Sequence, residues 1–177
     1  NNRLKTNNYF MKLTIYMDNA SSYQDIPDEP SVQQWVDAAL SNQKGEAELS
    51  IRVVDEDESS ELNLRYRNKQ GPTNVLSFPA DLSESLQELL LEESLQLPLL
   101  GDLVICAPVV ELEAQQQNKP LKAHWAHMLV HGSLHLIGYD HMNDQEAELM
   151  EQLETNILTS LDFPPPYEQP PGAIDTQ

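Results

Sequence analysis

The histidines of this chain are concentrated in one short region, since all five lie between residues 124 and 141. His131 and His135 are four positions apart, so they project from the same face of a helix. Gly138 predicts the end of that helix, because glycine tolerates the left-handed conformation found there, and the chain can then return His141 to the same point. Three neutral imidazoles leave a fourth ligand position open, as in a catalytic zinc site. The spacing therefore predicts one Zn²⁺ ion per chain.

The other two histidines precede this trio on nearly the same helical face. His124 and His127 could be ligands instead, since His127 lies one turn before His131. His127 is also the candidate fourth ligand of a closed structural site. We interpret His124 and His127 as residues that support the ligands or line the pocket, with plain packing as the alternative. Asp140 precedes His141 directly and is a further candidate to accept a hydrogen bond from a ligand imidazole.

The spacing of the trio is that of the metzincin proteases. In those enzymes the residue after the first histidine is a glutamate that acts as general base, whereas here it is Gly132. A metallopeptidase is therefore an alternative that the missing glutamate disfavours. A non-enzymatic protein with a structural zinc is a second alternative, and it requires a fourth protein ligand.

A basic segment lies upstream of the histidines. It contains three of the ten basic residues of the chain, which are Arg65, Arg67 and Lys69. A guanidinium group can bind a phosphate with two parallel hydrogen bonds, so Arg67 is the candidate to hold a scissile phosphate and neutralise its developing charge. An exposed basic turn without catalytic function is the alternative.

Four stretches of the sequence carry a family resemblance. They are NLRYR at 63–67, PTNVLSFP at 72–79, LGDLVIC at 100–106, and HWAHM at 124–128 followed by the histidine motif of 131–141. Together they closely resemble the YbeY family, the bacterial zinc-dependent endoribonucleases of ribosomal RNA maturation. The resemblance extends from about residue 12 to residue 167, although the acidic stretch 81–97 looks longer than is expected in that family.

The resemblance implies a fold and a set of functional residues. The fold would be a zincin-like α+β single domain, in which a small mixed sheet of about four strands packs with about five helices. The metal site would lie at the end of a central helix. The family's metal ligands match His131, His135 and His141, and its essential arginine matches Arg67. Asp102 matches a recurring position of the family, where it would orient a ligand or cap a turn.

The resemblance also implies a function. The protein would be a single-strand-specific, metal-dependent endoribonuclease that matures the 3′ end of 16S ribosomal RNA and acts in ribosome quality control. Its partners would be the small ribosomal subunit and a ribosomal protein or an assembly GTPase, and its location would be the cytoplasm. The alternatives are a non-enzymatic ribosome-assembly factor with a structural zinc and a metallopeptidase.

The charge of the chain limits how it can bind RNA. The 177 residues include 29 acidic and 10 basic side chains, which give a formal net charge of −19. This excludes a generic basic nucleic-acid binder and argues against binding to an anionic membrane surface. RNA would have to be held in a local positive cleft formed by the zinc ion with Arg65, Arg67 and Lys69. Few phosphate contacts predict a shallow salt dependence of binding.

The apolar residues and turn signals predict the elements that position these groups. The predicted strands are 13–17, a segment in which Leu49, Ile51 and Val53 alternate with polar residues, 75–78 and 103–105. The predicted helices are one capped by Ser31, then 57–66, 108–118 and 121–137, and a last one capped by Asn143 or Asp144 that carries Leu149, Leu153, Ile157 and Leu161 on one face. The lone cysteine, Cys106, excludes an intramolecular disulfide, favours a reducing compartment and is interpreted as a core residue.

The sequence predicts one catalytic domain with short extensions. Residues 11–162 form the domain, and within it residues 81–97 are an acidic insertion rich in Leu and Glu. Residues 1–10 are predicted to be a leader or a disordered N-terminus. The five prolines from Pro164 onward predict a flexible tail over residues 163–177.

Overall fold

The computed structural model describes residues 11–80 and 99–167, so the predictions for the N-terminal leader, the 81–97 insertion and the end of the tail lie outside the described residues. Its four strands are β1 (Lys12–Asn19), β2 (Glu46–Val54), β3 (Val75–Pro79) and β4 (Leu99–Cys106). The five helices of the described part are α1 (Glu29–Ala39), α2 (Glu56–Arg67), α3 (Ala107–Gln116), α4 (Leu121–Leu136) and α5 (Asp144–Ser160). This confirms the predicted α+β fold.

The sheet is mixed and has the order β1-β2-β4-β3. β1, β2 and β4 are parallel to one another, whereas β3 is antiparallel to β4 and forms one edge of the sheet. Leu49, Ile51 and Val53 of β2 are buried, as the alternation predicted, and they pack with Leu103 and Ile105 of β4 in the main core beneath α1 and α4. The opposite face carries a smaller apolar cluster that packs against α2.

Helix α4 is the central helix of the domain. It contacts α1, α3, α5 and the edge strand β3, so most of its side chains are buried. A Cβ atom at Gly132 would lie only 2.9 Å from Leu103 Cδ2 and 3.1 Å from Val75 Cγ2, so glycine allows α4 to approach the sheet here. The predicted helix end is confirmed, because Gly138 has a φ of +101° directly after α4.

The structure corrects two predictions about helix ends and faces. Helix α1 is capped by Asp28, whose side chain accepts a hydrogen bond from the Ser31 amide, so Ser31 is not the cap. Helix α5 is capped by Asn143 as predicted, and Leu153, Ile157 and Leu161 pack against the core as predicted, but Leu149 is 52% exposed. The fully buried residues of α5 are Met150, Glu154 and Leu158. Because the middle residue of this face is a charged glutamate, the sequence pattern indicated a polar face and not a buried one.

The segment after α5 packs against the domain, which differs from the predicted flexible tail for residues 163–167. The Phe163 ring meets the Trp35 ring edge to face, with the ring centroids 5.7 Å apart. Pro166 is buried, and the Tyr167 hydroxyl donates a hydrogen bond to Glu154. Aromatic burial and one buried hydrogen bond thus hold a segment that its proline content marked as irregular. In the described part of the chain, no helix is both long and apolar enough to cross a membrane.

Candidate metal centre

The structure brings His131, His135 and His141 together at the C-terminal end of α4. One ring nitrogen from each residue lies within 4.8 Å of the other two. His131 Nε2 and His135 Nε2 are 3.1 Å apart. Tetrahedral Zn–N bonds of about 2.0–2.1 Å separate two ligand nitrogens by about 3.4 Å, so the spacing of this pair suits one ion of that size. The histidines can therefore hold a metal ion, and in the described residues they form the one such group.

The surroundings of His135 favour its neutral imidazole. Burial lowers the pKa of His135, and the neighbouring His131 and His141 lower it further, while a hydrogen bond to the Tyr139 backbone acts in the opposite direction. Neutral imidazole is the form that binds a metal ion. Two unprotonated nitrogens as close as His131 Nε2 and His135 Nε2 repel each other unless a proton or a cation lies between them.

A carboxylate that sequence reasoning missed contacts this site. Glu154 of α5 has no exposed surface, and its Oε1 accepts a hydrogen bond from His131 Nδ1 at 2.5 Å. Its Oε2 accepts from His127 Nε2 at 2.7 Å and from the Tyr167 hydroxyl. A metal-binding histidine usually donates its second ring N–H to such an acceptor, which fixes the orientation of the ring.

The hydrogen bonds keep this buried carboxyl ionised. Burial by itself raises the pKa of Glu154, but the hydrogen bonds from His127 and His131 lower it to about 2. Burial lowers the pKa of His127 despite its carboxylate partner. Burial and the hydrogen bond to Glu154 both raise the pKa of Tyr167, so this side chain stays a phenol and a donor. The spacing of Met150, Glu154 and Leu158 at four-residue intervals was the one signal in the sequence for a buried glutamate.

Arg67 lies at the end of α2, beside the edge strand β3. Its Nη2 donates to the Ser77 carbonyl at 2.7 Å, its Nη1 donates to the Tyr66 carbonyl at 3.2 Å, and its guanidinium lies over the Phe78 ring. The Ser77 hydroxyl donates to the Gly132 carbonyl at 3.0 Å, next to His131. Arg67 and helix α4 therefore contact the same residue of β3.

The remaining predicted residues are placed in three different ways. Asp102 is exposed on β4 and lines a groove of about 650 Å³ on the face of the sheet that α2 covers, so the structure does not bring it to the trio. Asp140 accepts a hydrogen bond from the backbone N–H of His141 at 2.8 Å, which stabilises the turn that delivers this histidine. His127 shares Glu154 with His131, while His124 is buried with its Nε2 3.5 Å from Glu113 Oε1.

The fold and the site together define a class of protein. A four-stranded mixed sheet carries a long central helix, and three histidines converge at the end of that helix. Buried Cys106 and Glu154-bound His127 do not belong to this group, so the His, Cys, Asp and Glu side chains of the described residues add no fourth member to the trio. An α+β domain with three histidines gathered at the end of its central helix can hold a metal ion there.

Comparison with known proteins gives the family. The sequence model of the family described as Endoribonuclease YbeY matches residues 16–162. A curated protein named Endoribonuclease YbeY, from Cellvibrio japonicus (strain Ueda107), is 50% identical over 168 residues, which cover 93% of this chain and 90% of that protein. The solution structure of TM1509 from Thermotoga maritima is 20% identical with a TM-score of 0.51, covers 93% of this chain and all of that one, and supports the fold.

The chain belongs to the Endoribonuclease YbeY family, whose members are hydrolases that act on RNA. This confirms the resemblance carried by the histidine motif and the segments around Arg67. It also confirms the prediction of an endoribonuclease over the two alternatives.

Proposed function

We propose that this endoribonuclease cleaves single-stranded ribosomal RNA, with its activity directed at the 3′ end of 16S ribosomal RNA and at ribosome quality control. The single observation that carries the proposal is the convergence of His131, His135 and His141, of which His141 is exposed to solvent. We further propose that they hold one Zn²⁺ ion per chain. When bound, zinc supplies Lewis acidity toward water and phosphate oxygens.

The packing of α4 supports nuclease chemistry over peptidase chemistry. A metzincin-type glutamate would stand at Gly132, where a Cβ atom already meets Leu103 and Val75. The helix face that carries a general base in those proteases here packs against the sheet. A structural zinc is disfavoured as well, because the described residues offer the trio without a fourth ligand.

We propose that Arg67 stabilises the charge that develops on the scissile phosphate. Two backbone carbonyls, those of Tyr66 and Ser77, hold its guanidinium. A guanidinium has five N–H donors, so three remain for a phosphate after these two contacts. Ser77 also contacts the backbone of α4, which supports a placement of Arg67 on the side of β3 that faces the substrate.

The charge of the protein bears on its partners. The chain has a net charge of −19, so we expect it to repel RNA overall and to bind it through the metal ion and the basic segment of residues 65–69. We propose that the small ribosomal subunit, with a ribosomal protein or an assembly GTPase, presents the RNA. We propose that the reaction takes place in the cytoplasm, where such substrates are found.

Cleavage of a short single-stranded RNA with the 16S 3′ end tests this proposal. The wild-type protein is compared with His135→Ala, purified in parallel because trace ribonuclease mimics weak activity, and with Gln145→Ala as an exposed control on α5. Activity that needs added zinc and is lost only in His135→Ala supports the proposal. Equal cleavage by all three proteins contradicts it.

A further inference from the structure

A buried polar cluster behind the trio goes beyond what the family name implies. Glu154 of α5 lies at its centre, and His131, His127 and Tyr167 donate hydrogen bonds to its two oxygens. We propose that Glu154 is a positioning residue that holds His131 with Nε2 facing the metal ion, and that the C-terminal segment locks Glu154 through Tyr167. This inference rests on the proposed metal site.

The hydrogen bond with Glu154 determines which nitrogen of the His131 ring carries the proton. A carboxylate can only accept hydrogen bonds, so the 2.5 Å contact with Glu154 Oε1 places the proton of neutral His131 on Nδ1. The other nitrogen, Nε2, then carries a free lone pair. That nitrogen lies 3.1 Å from His135 Nε2, within the group of three ligand atoms. The hydrogen bond therefore selects the tautomer that the metal requires.

Hydrogen bonds to both oxygens fix the orientation of the Glu154 carboxylate. Glu154 Oε1 accepts from His131, whereas Oε2 accepts from His127 and Tyr167, so turning the carboxyl group would break all three bonds. The side chain has no exposed surface, and water does not compete for these oxygens. Glu154 can therefore fix the angle of the His131 ring and does not merely neutralise it.

Tyr167 connects the C-terminal segment to the site. Tyr167 is 49% exposed, but its hydroxyl reaches inward to Glu154. The segment is anchored by Phe163 on Trp35 and by buried Pro166. A residue that follows the last helix thus completes a hydrogen-bonded chain that ends at a metal-binding nitrogen. Damage to this segment should weaken metal binding although it contributes no ligand.

The affinity for Zn²⁺ and for Co²⁺, measured by competition with a chromogenic chelator, is the first test. In Glu154→Gln only one oxygen remains as an acceptor, so the donors from α4 and the tail can no longer all be satisfied. We expect a loss of affinity of about 10–100-fold. The matched control is Glu148→Gln, which removes the same charge from an exposed position of the same helix and should leave metal affinity unchanged.

A shorter carboxylate separates position from charge. Glu154→Asp keeps the negative charge but cannot reach both His131 and His127. If Glu154 acts by position, the aspartate variant loses metal affinity as the glutamine variant does. Wild-type affinity in Glu154→Asp would overturn the proposal, because charge alone would then suffice.

The tautomer of His131 gives a readout that does not involve metal. In the metal-free wild type, long-range ¹H–¹⁵N spectra should show His131 protonated on Nδ1. Tyr167→Phe removes only the hydroxyl that donates to Glu154, and it serves as the test if Glu154 variants fail to fold. This variant should bind metal more weakly than the wild type. The control is Tyr16→Phe at an exposed tyrosine on β1, which should leave metal binding unchanged.

The outcomes separate this inference from the proposed function. If the wild type binds neither metal at the trio but His131 is protonated on Nδ1 only while Glu154 is present, the metal-dependent function fails and the positioning role stands. If the wild type binds metal, and Glu154→Gln and Tyr167→Phe match their controls with an unchanged His131 tautomer, the positioning role is wrong and the proposed function stands.

Discussion

The two faces of the sheet handle charged groups in opposite ways. On the α4 side, Glu154 is fully buried and surrounded by three hydrogen-bond donors. On the α2 side, Arg52 is 45% exposed and bridges the carboxylates of Asp18 and Glu58 in contact with solvent. Buried hydrogen bonds hold a fixed geometry, whereas solvent and salt screen exposed ion pairs. The comparison indicates that the histidine side is preorganised and that the outer face is adaptable.

The largest expected effect comes from placing a second charge on the buried side. Gly132→Glu inserts an unpaired carboxylate between α4 and the sheet, where a Cβ atom already lies 2.9 Å from Leu103 Cδ2. We expect a loss of about 3–5 kcal/mol in the free energy of unfolding, measured by denaturant titration. Gln145→Glu adds the same charge at an exposed position of α5 and should change stability by less than about 0.5 kcal/mol. A stable Gly132→Glu protein that cleaves casein would instead favour the peptidase interpretation.

Substitution of Arg67 tests whether phosphate stabilisation and metal binding are carried by separate regions of the molecule. Arg67→Ala should lower kcat by about 10²–10³-fold, because a preorganised donor to the developing phosphate charge is lost. Zinc affinity should not change, since Arg67 contacts the carbonyls of Tyr66 and Ser77 and none of the trio. Lys12→Ala, which removes an exposed cation from β1, is the control. A parallel loss of zinc affinity in Arg67→Ala would mean that the two regions are not separable.

The salt dependence of RNA binding measures how far the positive region extends. If about three phosphates are neutralised by the basic segment, the logarithm of the association constant should fall with a slope of about −2 against the logarithm of salt concentration. Fluorescence anisotropy with a labelled single-stranded RNA gives this slope. A slope near −10 would require a basic surface that a chain of net charge −19 does not offer in the proposed cleft.

The smallest effect is expected at the exposed ion pairs. Arg52→Gln removes the contacts to Asp18 and Glu58, and we expect almost no change in the denaturation midpoint at moderate salt. Denaturation with and without added sodium chloride checks this. A large, salt-independent loss of stability would show that the outer face is as preorganised as the histidine side.

The sequence predicted the histidine trio because the arrangement of its members is local. His131 and His135 share a helix face, and Gly138 with a φ of +101° returns the chain for His141. Glu154 was not predictable in this way, because it lies 23 residues from His131 and its contact depends on how α5 packs against α4. Because Glu154 is charged, the pattern of apolar residues also did not indicate which face of α5 is fully buried.

The sheet shows the same limit. The strand positions followed from alternation and apolar runs, but their order did not. β4 pairs with β2 as well as with β3, and this nonlocal order places Ser77 at the edge between Arg67 and α4. A pattern in the sequence records which face of an element is apolar and leaves open which element covers it.

A crystal structure of the full chain grown with Zn²⁺, with anomalous diffraction data collected on both sides of the zinc absorption edge, tests the central claim most directly. We predict one zinc peak within about 2.0–2.1 Å of a nitrogen of His131, His135 and His141, with no fourth protein ligand. Absence of zinc at the trio, or a fourth side chain that closes the coordination sphere, would contradict the assignment of a catalytic metal site.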